Sequence, residues 1–286
     1  GVIKTSLFGG AKGNSTYTPY VMGDILVTVN GGNIGDIFGG NDAAGTPNGN
    51  VEIHLKGGTI GRVFGGGNNA SVKTNYIYLE GSTCNEIFGG SNASGTVDNT
   101  TIETTSGEVT TIYGGNNTAG NTVTSKITIN GGKINSTVYG GGNLAETTTT
   151  NVTLNASDIP NVFGGGANAN VVTSTTINLN GSNVGNLYGG SNAGGNIPSS
   201  NITLNKGTAT NVFGGNNDAG LTTTTNITLN NGTIGNIYGG GNNVGVTTSN
   251  IKLGSGTVDN VYGGSNKLGN VTNTNITTID SATNVT

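Results

Sequence analysis

Tryptophan is absent from this 286-residue chain, and cysteine, methionine, histidine and arginine occur once each. A single cysteine, Cys84, excludes an internal disulfide, and its position in an otherwise aliphatic column predicts a small core residue. Only 8% of the residues are charged and the net charge is −4, so we expect no nucleic-acid partner. One histidine without a second ligand argues against a transition-metal site, and we expect no metal and no cofactor.

Long apolar runs are also missing. No stretch approaches the ~20 consecutive apolar residues that span a bilayer, so the sequence predicts no membrane insertion. Thr, Asn, Val and Ile dominate, which favours strands, and no apolar pattern of helical period competes with them. Proline occurs only 4 times, whereas glycine occurs 55 times without the every-third-residue spacing of collagen. The glycine excess must therefore have another structural cause.

An aromatic residue followed by two glycines recurs eleven times along the chain. After the first interval the spacing is 24 to 26 residues, at Phe8, Phe38, Phe64, Phe88, Tyr113, Tyr139, Phe163, Tyr188, Phe213, Tyr238 and Tyr262. A unit this short cannot bury its own apolar face, so each copy must lie against its neighbours. The chain is predicted to be a stack of similar copies.

Within each copy, apolar and polar residues alternate with the period of a half-buried strand. Ile227 and Leu229 form one such inward pair, and Ile234 and Ile237 follow at fixed offsets before Tyr238. Short strands broken by glycines, coiling at ~25 residues per copy, predict an all-β parallel β-helix (β-solenoid) of about eleven rungs. We expect one domain over residues 1–286, and the rung length favours a right-handed coil.

Asparagine recurs four residues after most of the aromatics, at Asn68, Asn92, Asn117, Asn143, Asn192, Asn217, Asn242 and Asn266, with Asp42 in an early copy and Ala167 in one copy. Asn tolerates the left-handed conformation, and stacked amides can hydrogen-bond from rung to rung, so we predict an internal asparagine ladder. The preceding Gly-Gly is interpreted as a turn with positive φ. A calcium-binding nonapeptide repeat also begins Gly-Gly, but its aspartates and spacing are absent.

A second asparagine column precedes the aliphatic-aromatic pair, at Asn161, Asn186, Asn211, Asn236 and Asn260. In early copies the same column holds Asp36, Arg62 and Glu86. Adjacent rungs would place Arg62 between the two carboxylates, and the sequence predicts an ion triad of little energetic weight.

The aromatic column allows two interpretations. Packed rings would gain from offset stacking, whereas exposed rings would form a strip on which sugars could stack. Exchange of Phe for Tyr indicates that a hydroxyl is tolerated, but eleven exposed aromatics would form a large adhesive surface. Packing beneath the glycine turn is favoured.

Chemistry-bearing side chains are concentrated in the early copies. Register would gather the single histidine, two tyrosines and several carboxylates on one outward face, and the candidate ligand-binding residues are Glu52, His54, Tyr76, Tyr78, Glu80 and Glu103. Aromatic rings beside carboxylates are typical of saccharide recognition. The alternative is a solvent face that varies freely.

The central copies instead present Thr128, Thr153, Thr203 and Thr228 nearly in file, flanked by asparagines and interrupted by Asn178. Flat solenoid faces with threonine ranks occur in ice-binding proteins, so ice binding is a rival hypothesis. Polysaccharide cleavage would need clustered carboxylates in adjacent rungs, or carboxylates with a cation and a basic residue. Acidic residues outside the early copies are scattered, so no catalytic residues and no enzyme activity are expected.

The segment Gly58–Ala70 resembles glycine- and asparagine-rich repeat regions of secreted or surface-attached bacterial proteins, which are similar to adhesin-type parallel β-helices. The resemblance covers nearly the whole chain and implies a scaffold at the cell surface or outside the cell. We expect a non-enzymatic structural or adhesive rod with polysaccharide or host glycan as its partner.

The chain opens within a copy and closes on the strand-like segment Asn275–Ile279, so it is expected to be a piece of a longer repeat protein. An open terminal rung presents unpaired backbone groups. End-to-end self-association into a filament is therefore an alternative function.

Overall fold

The computed structural model describes residues 1–278 and contains strands and turns, with no α-helix in that range. Every strand pairing is parallel, and successive copies stack into a β-solenoid of about ten turns. The predicted parallel β-helix with rungs of ~25 residues is confirmed. The right-handed coil stays a prediction. Ile279, the last residue of the strand-like segment Asn275–Ile279, lies outside the described residues. A search of residues 1–278 for a membrane-spanning helix finds none.

Each turn contributes two strand segments, which we call the first half and the second half. In the early turns a single long, bent strand covers both halves: β2 (Ile25–Phe38), β3 (Val51–Phe64), β4 (Val72–Phe88) and β5 (Thr96–Tyr113). The strand β1 (Val2–Phe8) pairs with the second half of β2.

In the later turns the two halves are separate strands. First halves are β6 (Asn121–Ile129), β8 (Glu146–Leu154), β10 (Val171–Leu179), β12 (Ile197–Leu204), β14 (Thr222–Leu229), β16 (Val246–Leu253) and β18 (Val271–Thr278). Second halves are β7 (Lys133–Tyr139), β9 (Asp158–Phe163), β11 (Asn183–Tyr188), β13 (Thr208–Phe213), β15 (Thr233–Tyr238) and β17 (Thr257–Tyr262).

One aliphatic core runs the length of the solenoid. Equivalent residues of consecutive copies are direct register partners, as in Ile53 with Ile77 and Ile77 with Ile102. These side chains are completely buried, as the alternation predicts. Cys84 lies in this core, 1% exposed, and burial raises the pKa of its thiol to about 12. The thiol is therefore protonated and shielded.

A polar column inside the coil was missed by the sequence analysis. In the first halves from β4 to β16, the inward residue in register with Val51 of β3 is polar and buried: Asn75, Thr100, Ser125, Thr150, Thr175, Ser200, Thr225 or Ser249. Most of these side chains bond a glycine carbonyl of the turn after the aromatic; Thr150 Oγ1 donates to Gly164 O at 2.6 Å. Extending the strand alternation one step backwards would have predicted that these residues face inward.

The aromatic residues form one continuous stack. Centroids of consecutive rings lie 4.5 to 5.1 Å apart, with planes within 16° of parallel. Most of the rings are buried, and only the last, Tyr262, is largely exposed. The packed interpretation of the column is confirmed. No continuous strip of rings is left for a ligand on the described surface.

The Gly-Gly pairs have a different cause from the one predicted. None of them has positive φ; positive φ occurs at other glycines, such as Gly58 and Gly107 in the turn between the two halves. An added Cβ would lie 2.6 Å from Gly65 O at Gly39 and 2.5 Å from Gly89 O at Gly65. Glycine is required there because the backbones of consecutive rungs approach too closely for a side chain.

The asparagines after the Gly-Gly pairs make no use of the left-handed conformation, since no non-glycine residue described has positive φ. Their side chains are half-buried or exposed, so the predicted internal position of the ladder is wrong. Their amides nevertheless form a file in which each Nδ2 donates to the preceding Oδ1 at 2.8 to 3.0 Å. The file runs through Asp42, Asn68, Asn92, Asn117 and Asn143, and resumes through Asn192, Asn217, Asn242 and Asn266.

Ala167 interrupts this file, and Asn192 Nδ2 instead donates to Tyr139 Oη at 3.2 Å. The backbone at the gap is ordinary, since Ala167 N bonds Gly142 O as Asn92 N bonds Gly67 O. We predict that Ala167→Asn joins the two segments and stabilises the protein by about 1 kcal/mol. Thermal unfolding should show a raised Tm, whereas the exposed control Ala193→Asn should leave it unchanged. A Tm lowered by Ala167→Asn would contradict the ladder account.

Candidate functional site

The six candidate ligand-binding residues lie together on the outer surface of the first halves of β3, β4 and β5. We call this cluster the early patch; it comprises Glu52, His54, Tyr76, Tyr78, Glu80 and Glu103. Register pairs Glu52 with Tyr76, His54 with Tyr78, and Tyr78 with Glu103. All six side chains are half-buried, because outward positions of a sheet are covered on both sides by neighbouring rungs.

His54 is held between two carboxylates. Its Nδ1 lies 2.8 Å from Glu80 Oε2, and its Nε2 lies 2.9 Å from Glu52 Oε1. A carboxylate only accepts hydrogen bonds, so both contacts form fully when each ring nitrogen carries a proton. Burial acts to lower the pKa of His54, but the hydrogen bonds and negative charges of Glu80 and Glu52 outweigh it and raise that pKa above 6.5. The His54–Glu80 contact ties β3 to β4.

Tyr78 stacks on the His54 ring, with centroids 4.8 Å apart and planes 20° from parallel. Burial, followed by the negative charges of Glu52 and Glu103, raises the pKa of the Tyr78 hydroxyl above 10. The phenol is thus a neutral donor at physiological pH. The orientation of Tyr78 is fixed by His54, and the orientation of His54 by the two carboxylates.

The early patch combines ring surfaces with strong acceptors. Tyr76 and Tyr78 offer aromatic faces, while Glu52, Glu80 and Glu103 offer carboxylate oxygens that accept hydrogen bonds from hydroxyls. Glu103 Oε1 already accepts from Asn130 Nδ2 at 2.6 Å. Among residues 1–278 no group of three or more His, Cys, Asp or Glu side chains is arranged to hold a metal ion.

The Arg62 cluster lies on the second halves, away from the early patch. Register places Asp36, Arg62 and Glu86 in one column. Arg62 makes a two-pronged contact with Asp36, through Nε at 3.0 Å and Nη2 at 2.6 Å, and its guanidinium lies 5.3 Å from the Phe64 ring centroid. Glu86 makes no hydrogen bond or salt bridge to Arg62, so the predicted triad is a pair. Because Arg62 uses its Nε and Nη2 for the bidentate contact with Asp36, those two N–H groups are not available to Glu86.

The asparagines of the second column, Asn161, Asn186, Asn211, Asn236 and Asn260, are joined by amide hydrogen bonds of 2.9 to 3.1 Å. Sequence reasoning missed two further amide files. One is formed by the residue that directly follows each first half, and runs through Asn130, Asn155, Asn180, Asn205 and Asn230. The other runs through Asn201, Asn226, Asn250 and Asn275. Both are visible in the sequence as asparagines recurring at the copy length.

A shallow groove on the second halves was also not predicted. It encloses about 670 Å³ over β7, β9, β11 and β13, and its lining includes Lys133, Asp158, Pro160 and Gly185. Asp158 Oδ1 accepts a hydrogen bond from Asn183 Nδ2 at 2.8 Å, and Lys133 Nζ donates to Glu108 Oε1 at 3.2 Å. Its charged groups are therefore already paired.

Comparison with models of known protein families, with curated proteins and with solved structures gives no match for this chain. The functional argument therefore rests on the chemistry and geometry of the early patch and its surroundings.

The single histidine allows a direct test of the early patch. We predict that the His54 NMR titration gives a pKa above 6.5, and that Glu80→Gln lowers it, because a negative partner is lost. A raised folded-state pKa means that the associated stability is complete below the unfolded-state pKa and is lost as pH rises through the folded value. Solvent screening keeps this contribution below about 1 kcal/mol. A His54 pKa at or below 6.5 would rule out the two-carboxylate arrangement.

Proposed function

We propose that this protein is a non-enzymatic, extracellular or cell-surface rod that adheres to polysaccharide or glycan through the early patch. The fold supplies a scaffold of similar copies, and the early patch is where the outward side chains depart most from threonine and asparagine. Differences between copies of a repeat protein are where a specific interaction surface is expected.

The observation that carries the proposal is the arrangement of two tyrosines among three carboxylates on one outward surface. Sugar rings present C–H faces that pack against aromatic rings, and their hydroxyls donate to carboxylates. Tyr78 is already oriented by its contact with His54, at a centroid distance of 4.8 Å. A side chain held in place before binding loses less rotational freedom when a ligand arrives, which favours affinity.

Secretion and adhesion agree with the composition as well as with the patch. A surface of hydroxyls and amides with few charges offers little attraction to nucleic acid or to anionic lipid. The same surface can hydrogen-bond to polyhydroxyl partners. Ice binding and end-to-end assembly are the rival functions, and each has its own readout: thermal hysteresis for the first, and concentration-dependent fibres for the second.

A glycan array tests the proposal. We expect the double variant Tyr76→Ala, Tyr78→Ala to lose about tenfold or more in affinity for the glycans that the wild type binds, since two ring contacts are removed. The matched control is Tyr17→Ala, Tyr20→Ala, which removes two tyrosines that are 69% and 55% exposed in the loop after β1. Unchanged binding by the first variant, or equal loss in the control, would refute binding through the early patch.

A further inference from the structure

Beyond the early patch, three parallel files of polar side chains run along the outer surface of the first halves and of the residues that directly follow them. We call the region from β6 to β14 the polar track. Its central file is Thr128, Thr153, Asn178, Thr203 and Thr228, and register makes these residues direct neighbours. On one side runs the amide file Asn130, Asn155, Asn180, Asn205 and Asn230; on the other lie Asn151, Thr176, Asn201 and Asn226.

The amide file leaves hydrogen-bonding capacity pointing away from the ladder. An asparagine side chain has two N–H donors and two acceptor lone pairs, and each rung-to-rung bond uses one donor and one acceptor. Asn180, for example, donates to Asn155 at 3.0 Å and accepts from Asn205 at 3.0 Å. One N–H and one lone pair of each inner member therefore remain for a partner, held in a fixed orientation by the ladder.

The central file has even more unused capacity. Its four threonine hydroxyls and the Asn178 amide make no hydrogen bond to another described residue, although the side chains are half-buried. The β-branched threonines have few χ1 rotamers in a strand, so these hydroxyls recur at nearly constant position with the ~4.8 Å rung spacing. The polar track is thus a periodic array of donors and acceptors without partners of its own.

The polar track carries little charge. Lys126 stands at its near end, at the β6 position of the third file and in register with Asn151, and Lys252 follows the track in β16. From β8 to β14 the three files contain only threonine and asparagine. A depression of about 290 Å³ lies at its far end, lined by Asn226, Thr228, Asn250 and Lys252 among others. At the near end, Asn130 bonds Glu103 and so joins the track to the early patch.

We propose that the polar track binds a neutral, extended polysaccharide that lies along the solenoid axis, with one end of the bound segment on the early patch. This proposal rests on the proposed function and specifies its ligand class. From β8 to β14 the three files offer no cation to attract an anionic polymer, and the carboxylates of the early patch repel one. A neutral chain with hydroxyls along its length satisfies the unused donors and acceptors rung after rung.

An axial binding mode makes affinity depend on chain length. A short oligosaccharide reaches the early patch alone, whereas a longer one adds contacts on successive rungs within one molecule, where effective concentration is high. Ice and a second copy of this chain would also form hydrogen bonds to the periodic array. Neither of them is a single extended polymer that contacts both the tyrosines of the early patch and the threonine file.

The test uses the intact protein with short and long oligomers of neutral β-glucan, mannan and xylan, and with polygalacturonate as the anionic comparison, by titration calorimetry. We expect at least one neutral series to bind about tenfold more tightly when long than when short, and polygalacturonate not to bind. Asn180→Asp removes the amide N–H donors in the middle of the track and should reduce the length effect while leaving short oligomers bound.

The matched control is Asn186→Asp in the same turn. Asn186 is also half-buried and also donates to and accepts from ladder neighbours, at 3.1 and 3.0 Å, but it lies on a second half, outside the track. It should retain the length effect. Thr203→Val removes one central hydroxyl without adding charge, and should weaken long oligomers only.

The outcomes separate this proposal from the proposed function. Binding that depends on Tyr76 and Tyr78 but not on chain length overturns the polar track and leaves the early patch standing. Equal effects of Asn180→Asp and Asn186→Asp, preference for polygalacturonate, or thermal hysteresis without saccharide binding would each overturn the track as a polysaccharide site. Both proposals are supported if the double variant Tyr76→Ala, Tyr78→Ala loses all binding and the full length effect is seen only in the wild type and in Asn186→Asp.

Discussion

In-register backbone pairing between consecutive copies is the constraint on which the rest of the structure depends. Once copies of ~25 residues are aligned, each side chain has its equivalent as a neighbour about one strand spacing away. Aliphatics then meet aliphatics in one core, rings meet rings at 4.5 to 5.1 Å, and amides meet amides within hydrogen-bond distance. The same alignment brings rungs so close at Gly39 and Gly65 that a Cβ would collide with a carbonyl oxygen.

Much of this could be predicted from residues that recur at the copy length. The inward pair Ile227 and Leu229, the packed aromatics and the gathering of His54 with Tyr78 all follow from period and alternation. Periodicity identifies which residues are neighbours without giving their backbone angles or their choice of partner. The cause of the Gly-Gly pairs was wrongly predicted because close approach of neighbouring backbones and positive φ both select glycine. The sequence does not distinguish these two causes, whereas the structure does.

The hydrogen-bond partner that each side chain takes was the second feature that the sequence could not predict. Arg62 has a carboxylate on each side, and the sequence cannot say that it would bond Asp36 in two places and leave Glu86 without a bond. The buried hydroxyl column typified by Thr150 was missed for a related reason, since threonine is common on both surfaces of a strand. Its interior role depends on a glycine carbonyl 14 residues further along the chain, which the hydrogen bond to Gly164 O reveals.

The same alignment connects fold to function. Inward positions vary little because each must fit between two similar neighbours, whereas outward positions are free to differ from copy to copy. Charges and rings in β3 to β5 therefore form a distinct end of a surface that continues as neutral hydroxyls and amides. A surface with a charged, aromatic end and a periodic neutral extension suits a polymer better than a small molecule. The proposed adhesion to polysaccharide uses both parts of that surface.

Distances measured along the axis in solution test the register most directly. Nitroxide labels on cysteines substituted at Thr28, Thr128 and Thr228 would report them by electron spin resonance, since Cys84 is buried and protected from labelling. Thr28 and Thr128 are four rungs apart, as are Thr128 and Thr228, according to the register. Stacking predicts about 19 Å for each four-rung pair and about 38 Å for the outer pair, before the length of the labels is added. An outer distance that is not about twice the inner ones would contradict in-register stacking.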